Sequence, residues 1–184
     1  QDWGLEVPSQ FCVQVLTDLE QGASVVEFGS GNGRDSQYMA SQGFVVTAMD
    51  LSGPAVTSCM QRMESKNILH AFFIEGDVSV EADVEKAVKH ARENSAQADG
   101  KLIAYSRFLL HSLDSLQETQ FLDALNQHLN PGDRLYLEFR SVDDADTPKV
   151  FGNHYRRYVD TEAVSNRLTE SDGFTVDYLI TGRG

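Results

Sequence analysis

The segment Glu27-Phe28-Gly29-Ser30-Gly31-Asn32-Gly33 constrains the fold more than any other part of the chain. Its three glycines, at every second position, follow the short apolar run Ser24 to Phe28 and precede a helical pattern over Arg34 to Ser41. Glycine reaches positive φ readily and carries no Cβ, so such a turn reverses the chain tightly and lets a ligand approach the backbone. Strand, glycine turn and helix in that order point to a parallel sheet, whose next strand is reached by a crossover. The alternation then repeats. Phe44 to Met49 reads as a second strand, followed by Ser52 as N-cap, Pro54 in the first helical turn, and Val56, Cys59, Met60 and Met63 as the buried stripe. Ala71 to Ile74 reads as a third strand, with a helical stripe over Val80, Val84, Ala87, Val88 and Ala91 after it. The turn Asp99-Gly100 leads to a fourth strand, Lys101 to Tyr105, and Ser115-Leu116-Gln117-Glu118 fits a capping box for a helix that buries Leu122, Leu125 and Leu129. Pro131-Gly132 ends that helix before a fifth strand, Arg134 to Phe139. A leading helix is expected from Phe11, Cys12, Val15, Leu16 and Leu19. After the irregular stretch Ser141 to Tyr158, a helix over Thr161 to Glu170 and a strand over Phe174 to Ile180 are expected. The predicted fold is α/β: a Rossmann-like, doubly wound, mostly parallel sheet with helices on both faces, forming a single domain over residues 1–184.

Composition narrows the function classes. With 184 residues and 41% hydrophobic content, the chain can bury one sizeable core. No run of about eighteen apolar residues offers a membrane span, and the N-terminus lacks a signal-peptide pattern, so a cytoplasmic setting is expected. A formal net charge of -13 would repel a polyphosphate backbone, which disfavours nucleic acid as a partner. Cys12 and Cys59 lie among apolar residues at helical spacing and read as buried free thiols. The five histidines are scattered and the acidic residues lack metal-ligand spacing, so no metal is predicted.

Spacing decides what the glycine turn holds. A dinucleotide fingerprint needs its third glycine three positions after the second, where this chain has Arg34. Glu27 would also face a pyrophosphate badly, whereas a carboxylate there suits a cationic ligand. Glu27 to Gly33, with Asp50 and Asp77 after it, resembles the class I methyltransferases that use S-adenosylmethionine, and the likeness spans nearly the whole chain. It implies S-adenosyl-L-methionine as cofactor, held by Glu27, Gly29, Ser30, Gly31, Gly33 and Arg34 around the turn. In that family the acidic residue ending the second strand takes the ribose hydroxyls, which maps to Asp50 with Leu51 beside it. The residues after the third strand contact adenine, which maps to Asp77 and Val78. Capping roles for the two aspartates are the structural alternatives.

The family places its acceptor edge after the fourth strand, here Tyr105-Ser106-Arg107-Phe108-Leu109-Leu110-His111. This run resembles a bacterial subset associated with polysaccharide and glycan modification. Tyr105 and Ser106 are expected to line the cofactor, Arg107 to fix an anionic group or a carboxylate such as Glu138, and His111 to act as general base. The alternative for His111 is a core histidine that satisfies a backbone group. Glu138, Arg140, His154, Arg156 and Arg157 suggest an anion-binding wall, and Trp3 a cover or docking anchor. The predicted reaction is methyl transfer to an oxygen of a sugar, glycan or other small polar acceptor. A cofactor-binding regulatory domain and an NAD(P)-dependent oxidoreductase are the competing classes. The resemblance also implies a seventh, antiparallel strand, which leads to the expectation of a C-terminally truncated domain.

Overall fold

Strand Ser24–Phe28 (β1) is buried at every position, as a central strand of a covered parallel sheet must be. The computed structural model describes residues 7–95, 101–144 and 157–182, so the expectations for Trp3, Asp99-Gly100, His154 and Arg156 lie outside the described residues. Around β1 the chain runs α1 (Gln10–Thr17), α2 (Arg34–Ser41), β2 (Val45–Asp50), α3 (Gly53–Ser65), β3 (Ala71–Glu75), α4 (Glu81–Glu93), β4 (Leu102–Arg107), α5 (Ser115–His128), β5 (Arg134–Glu138) and α6 (Thr161–Asn166). A single 3-10 turn, Leu110–Ser112, follows β4, and a π-helical turn, Arg167–Ser171, continues α6.

Every strand pair is parallel, and the strand order is β3-β2-β1-β4-β5. Such an order reverses between β1 and β4, and the crevice at the carboxyl ends of those two strands is where ligands of doubly wound sheets bind. The register sets Glu27 beside Ala48 on one side and Tyr105 on the other. Side chains alternate across the sheet. Val25, Val46, Ile103 and Tyr105 pack with Cys12, Val15, Met39, Cys59 and Met63 beneath α1, α2 and α3. Val26, Phe28, Leu102 and Ala104 pack with Val84, Val88, Phe121, Leu122 and Leu125 beneath α4 and α5. Each such aliphatic side chain contributes about 1.5–3 kcal/mol when fully buried. Phe28 and Phe121 meet edge to face at 5.2 Å.

Helix starts follow local chemistry. Ser9 caps α1 by accepting from the Cys12 N–H, and Ser52 caps α3 with Pro54 in its first turn. The capping box of α5 is Asp114 with Gln117, one residue earlier than the expected Ser115 with Glu118. The Asp114 carboxylate accepts the Gln117 N–H at 2.8 Å, while the Gln117 side chain accepts the Asp114 N–H at 3.0 Å. A second difference is the predicted strand Phe174 to Ile180, which joins no ladder among the described residues; Val176, Tyr178, Leu179 and Ile180 are exposed. A strand must pair its backbone groups with a neighbour, and none of the described strands forms a ladder with this segment. A third is β4, which runs two residues further than expected and so takes in Ser106 and Arg107.

Candidate active site

The glycine turn is held from both sides. The Gly29 and Ser30 N–H groups donate to the Met49 carbonyl at 2.8 and 3.1 Å, tying the end of β1 to β2. Gly33, the N-cap of α2, has φ of 69°, and a Cβ there would stand 2.7 Å from the Cys59 sulfur. It is required for packing against α3. Gly31 differs: its φ is 54°, but an added Cβ would meet nothing within 4 Å, so this glycine faces open space. Arg62 of α3 donates to the Asn32 carbonyl and, through Nε, to the Gln37 side chain at 3.1 Å, bracing the turn from behind.

Two cavities flank Gly29. The first, of about 300 Å³, is polar and lined by Glu27, Gly29, Ser30, Asn32, Arg34, Asp35 and Arg107. Glu27 is only 3% exposed and accepts the Ser36 hydroxyl. Burial pushes its carboxyl up to about 8, against the lowering effect of the Ser36 hydrogen bond. The buried Ser30 Oγ has no hydrogen-bond partner in the protein. Asp35, also buried, accepts from Ser9 and Tyr105. Arg107 forms a close ion pair with Glu138 at 2.6 Å without hydrogen-bond alignment, and desolvation raises the Glu138 carboxyl above its ordinary value. The Arg107 guanidinium also lies 4.1 Å over the Phe108 ring. Phe108 itself holds φ of 58°, in the left-handed region that a bulky residue adopts only under local constraint.

The second cavity, of about 270 Å³, is more apolar. Gly29, Asp50, Leu51, Gly76, Asp77, Val78, Leu109, Ser112, Leu113 and Gln117 line it. Asp50 accepts the Gly31 N–H at 2.7 Å through one oxygen and the Ser52 N–H at 2.9 Å through the other. Asp77 accepts both the N–H and the hydroxyl of Ser79, an Asx turn that orients its carboxylate at the cavity rim. Leu51 is 70% exposed whereas Val78 is buried, so the two offer an open and a fixed apolar wall.

The structure thus brings Glu27, Gly29, Ser30, Arg34, Asp50, Leu51, Asp77, Val78 and Arg107 onto cavity walls, with Gly31 and Gly33 forming the turn behind them. Tyr105, Ser106 and His111 line neither cavity. Tyr105 points beneath α1 and α2, fully buried and stacked on Phe11. Ser106 faces the opposite side of the sheet and donates to the Phe28 carbonyl at 3.1 Å. His111 is buried, and its Nδ1 accepts the Arg140 backbone N–H at 3.2 Å. That contact ties it to the chain after β5, the backbone-satisfying role set beside the general-base expectation. Arg157, expected in an anion-binding wall, pairs with Glu118 and donates to the Leu113 carbonyl. Asp35 and Asn32 were not singled out by sequence. Their one signal is position, immediately within and after the glycine turn, where an acid is ordinarily read as a complement to the helix dipole.

Against known proteins, a methyltransferase-domain family matches residues 6–171. No curated protein matches the chain. The fold is similar to that of a glycopeptide N-methyltransferase solved with S-adenosyl-L-methionine, with TM-score 0.68, 16% identity, and 94% of this chain and 86% of that one covered. A SAM dependent methyltransferase from Aquifex aeolicus gives TM-score 0.60 at 16% identity, covering 91% of this chain and 81% of that one. A protein solved in connection with the conversion of a disulfide bond into a thioacetal group during echinomycin biosynthesis gives 0.66 at 18%, covering 91% and 70%. At these identities the likeness establishes the fold, while the family match over most of the sequence establishes descent. The chain belongs to the methyltransferase-domain family.

Proposed function

We propose that this protein is an S-adenosylmethionine-dependent methyltransferase acting on a small polar acceptor, with a hydroxyl of a sugar or glycan as the leading class. The observation that carries the reading is the pair of cavities meeting at Gly29, one polar and one apolar. S-adenosylmethionine has the same division, a zwitterionic amino acid at one end and a nucleoside at the other. The residues fit it: Ser30 Oγ is a buried group lacking a partner, Gly31 leaves room for close approach, and Asp35, Arg34 and Arg107 supply both signs of charge. Asp50 and Asp77 would take the ribose hydroxyls and the base amine, and Leu51 and Val78 would flank the base. When bound, the cofactor supplies a methyl group on a sulfonium, an electrophile that needs no metal to activate it.

What the chain contributes is position. Leu109 and the turn Leu110–Ser112 wall the crevice after β4, and His111 holds the Arg140 backbone against that turn. Fixing donor and acceptor in line lowers the barrier without a strong base. The buried, committed His111 also favours a second reading, a nitrogen acceptor, because a neutral amine attacks without a base. The similar solved structures include N-methyltransferases of a glycopeptide, of phosphoethanolamine and of coclaurine. The test is transfer of labelled methyl from S-adenosylmethionine to pooled hydroxyl and pooled amine acceptors, followed by analysis of the methylated atom. Transfer to hydroxyls supports the leading reading, and transfer only to amines replaces it with the second. Tight cofactor binding with no transfer to any cell fraction would instead make this a regulatory binding domain. Binding of NAD but not of S-adenosylhomocysteine would end the methyltransferase reading.

A further inference from the structure

The first turns of α1 and α2 meet on one carboxylate. Asp35, 5% exposed, accepts the Ser9 N–H at 2.8 Å through Oδ1, and at Oδ2 it accepts the Ser9 hydroxyl at 2.7 Å and the Tyr105 hydroxyl at 2.8 Å. The Ser9 oxygen accepts the Cys12 N–H at 2.9 Å as the cap of α1, so its single proton is left for Asp35. Tyr105 is fully buried and stacked on Phe11 with ring centroids 5.1 Å apart, which fixes where its hydroxyl points. These three hydrogen bonds fix the direction of both carboxylate oxygens. Yet Asp35 is not only a structural anchor, because it also forms part of the wall of the polar cavity, beside the unpartnered Ser30 hydroxyl. The other buried acid of that wall, Glu27, is pushed up to about 8 by burial and holds its proton through most of the neutral range.

We infer that Ser9 and Tyr105 are positioning residues that hold Asp35 as the partner of a cationic group, the α-ammonium at the amino-acid end of the cofactor, and so couple α1 to cofactor binding. This rests on the reading that the two cavities hold S-adenosylmethionine. Neither Ser9 nor Tyr105 touches the cavity; each acts by directing a proton at Asp35 and holding its oxygens in place. The nucleoside end lies across Gly29 and shares none of these three residues.

The experiment is calorimetric titration of the full chain with three probes. These are S-adenosylhomocysteine, 5′-methylthioadenosine, which lacks the amino-acid end, and an S-adenosylhomocysteine analogue lacking only the amino group. Tyr105→Phe and Ser9→Ala should each weaken S-adenosylhomocysteine by roughly three- to tenfold, and Asp35→Asn by more than about tenfold, the scale of hydrogen bonds to charged groups. Methylthioadenosine and the deaminated analogue should bind all variants as they bind the unaltered protein, and Ser9→Thr, which keeps the hydroxyl, should restore affinity. Tyr105→Phe is the decisive variant, since it removes one oxygen and leaves the packed ring. Equal losses for all three probes would reduce the network to a structural role and overturn the inference, as would unchanged affinity in Tyr105→Phe and Ser9→Ala. If the unaltered protein bound methylthioadenosine as tightly as S-adenosylhomocysteine, the inference would fail while the nucleoside site stood. Binding of neither would remove both.

Discussion

The two cavities that meet at Gly29 are built by different means. On the apolar side, Asp50 is fixed by two backbone donors, the Gly31 and Ser52 N–H groups, and Gly29, Gly76, Leu51, Val78, Leu109 and Leu113 make most of the wall. On the polar side, the acids are fixed mainly by side-chain hydroxyls: Glu27 by that of Ser36, and Asp35 by those of Ser9 and Tyr105 together with the Ser9 N–H. A site fixed by backbone is as stable as the sheet that carries it. One fixed by buried hydroxyls and carboxyls depends on protonation and on residues that never touch the ligand. The polar half should therefore respond to pH and to remote substitution, and the apolar half should respond mainly to its own wall.

The largest expected effect tests the protonation half of that contrast. In the folded protein Glu27, facing Ser36, Asp35, Arg107 and Asp50, is raised by burial from an ordinary 4.5 to about 8. Between those values the folded chain keeps a proton that the unfolded chain has lost, so stability falls as pH rises from 4.5 to about 8 and is level above it. Glu27→Gln, which stays neutral, should abolish that slope, a difference on the order of 4 kcal/mol between the two ends of the window. Denaturant unfolding at pH 5 and pH 8 measures it. Parallel pH profiles for the two proteins would mean that Glu27 ionises freely and that the polar cavity is not built around a neutral acid.

Next in size is Asp50→Ala. It removes the acceptor of the Gly31 N–H as well as the proposed diol partner, so S-adenosylhomocysteine and methylthioadenosine should both lose about 3 kcal/mol of binding. Unchanged affinity for either would take Asp50 out of the nucleoside site and leave it as a brace for the turn.

The contrast between the cavities also explains what could be read from sequence. The turn Gly29 to Gly33 and the acids Glu27, Asp50 and Asp77 were legible because spacing along one chain carries them. Partners distant in sequence were not. Asp35 and Tyr105 are 70 positions apart, and only the register of β4 against β1, which pairs Tyr105 with Glu27, shows that this tyrosine points beneath α1. Ending β4 at Tyr105 rather than Arg107 turned the same residue into an expected cavity wall. His111 was ambiguous for a related reason, since its partner is the backbone of Arg140, 29 positions on. The capping box was misplaced by one residue because Ser115 with Glu118 and Asp114 with Gln117 both satisfy the pattern, and only the extended backbone of Asp114 selects between them. Phe174 to Ile180 has the composition of a strand, but pairing is a property of the neighbour as much as of the segment.

A smaller effect separates the two ends of the ligand. Arg107 lines the polar cavity while sharing its charge with Glu138, so Arg107→Leu should cost S-adenosylhomocysteine about 2 kcal/mol or less and leave methylthioadenosine unaffected. Equal losses for both would show that the ion pair shapes the whole crevice rather than one half.

The smallest predicted change is on the apolar side, at Leu51. It follows Asp50, lines the apolar cavity and is 70% exposed, so in the free protein its side chain contributes little to stability. A purine lying between it and the buried Val78 would cover that side chain, and Leu51→Ala would forfeit the contact. Each buried methylene is worth about 0.8 kcal/mol and an open wall covers only part of the side chain, so the loss should be about 1 kcal/mol for S-adenosylhomocysteine and for methylthioadenosine alike. Thermal unfolding of the free protein should be unchanged. A loss confined to S-adenosylhomocysteine would reverse the assignment of the two cavities, because Leu51 would then face the amino-acid end. A drop in stability without a drop in affinity would make Leu51 part of the core despite its exposure.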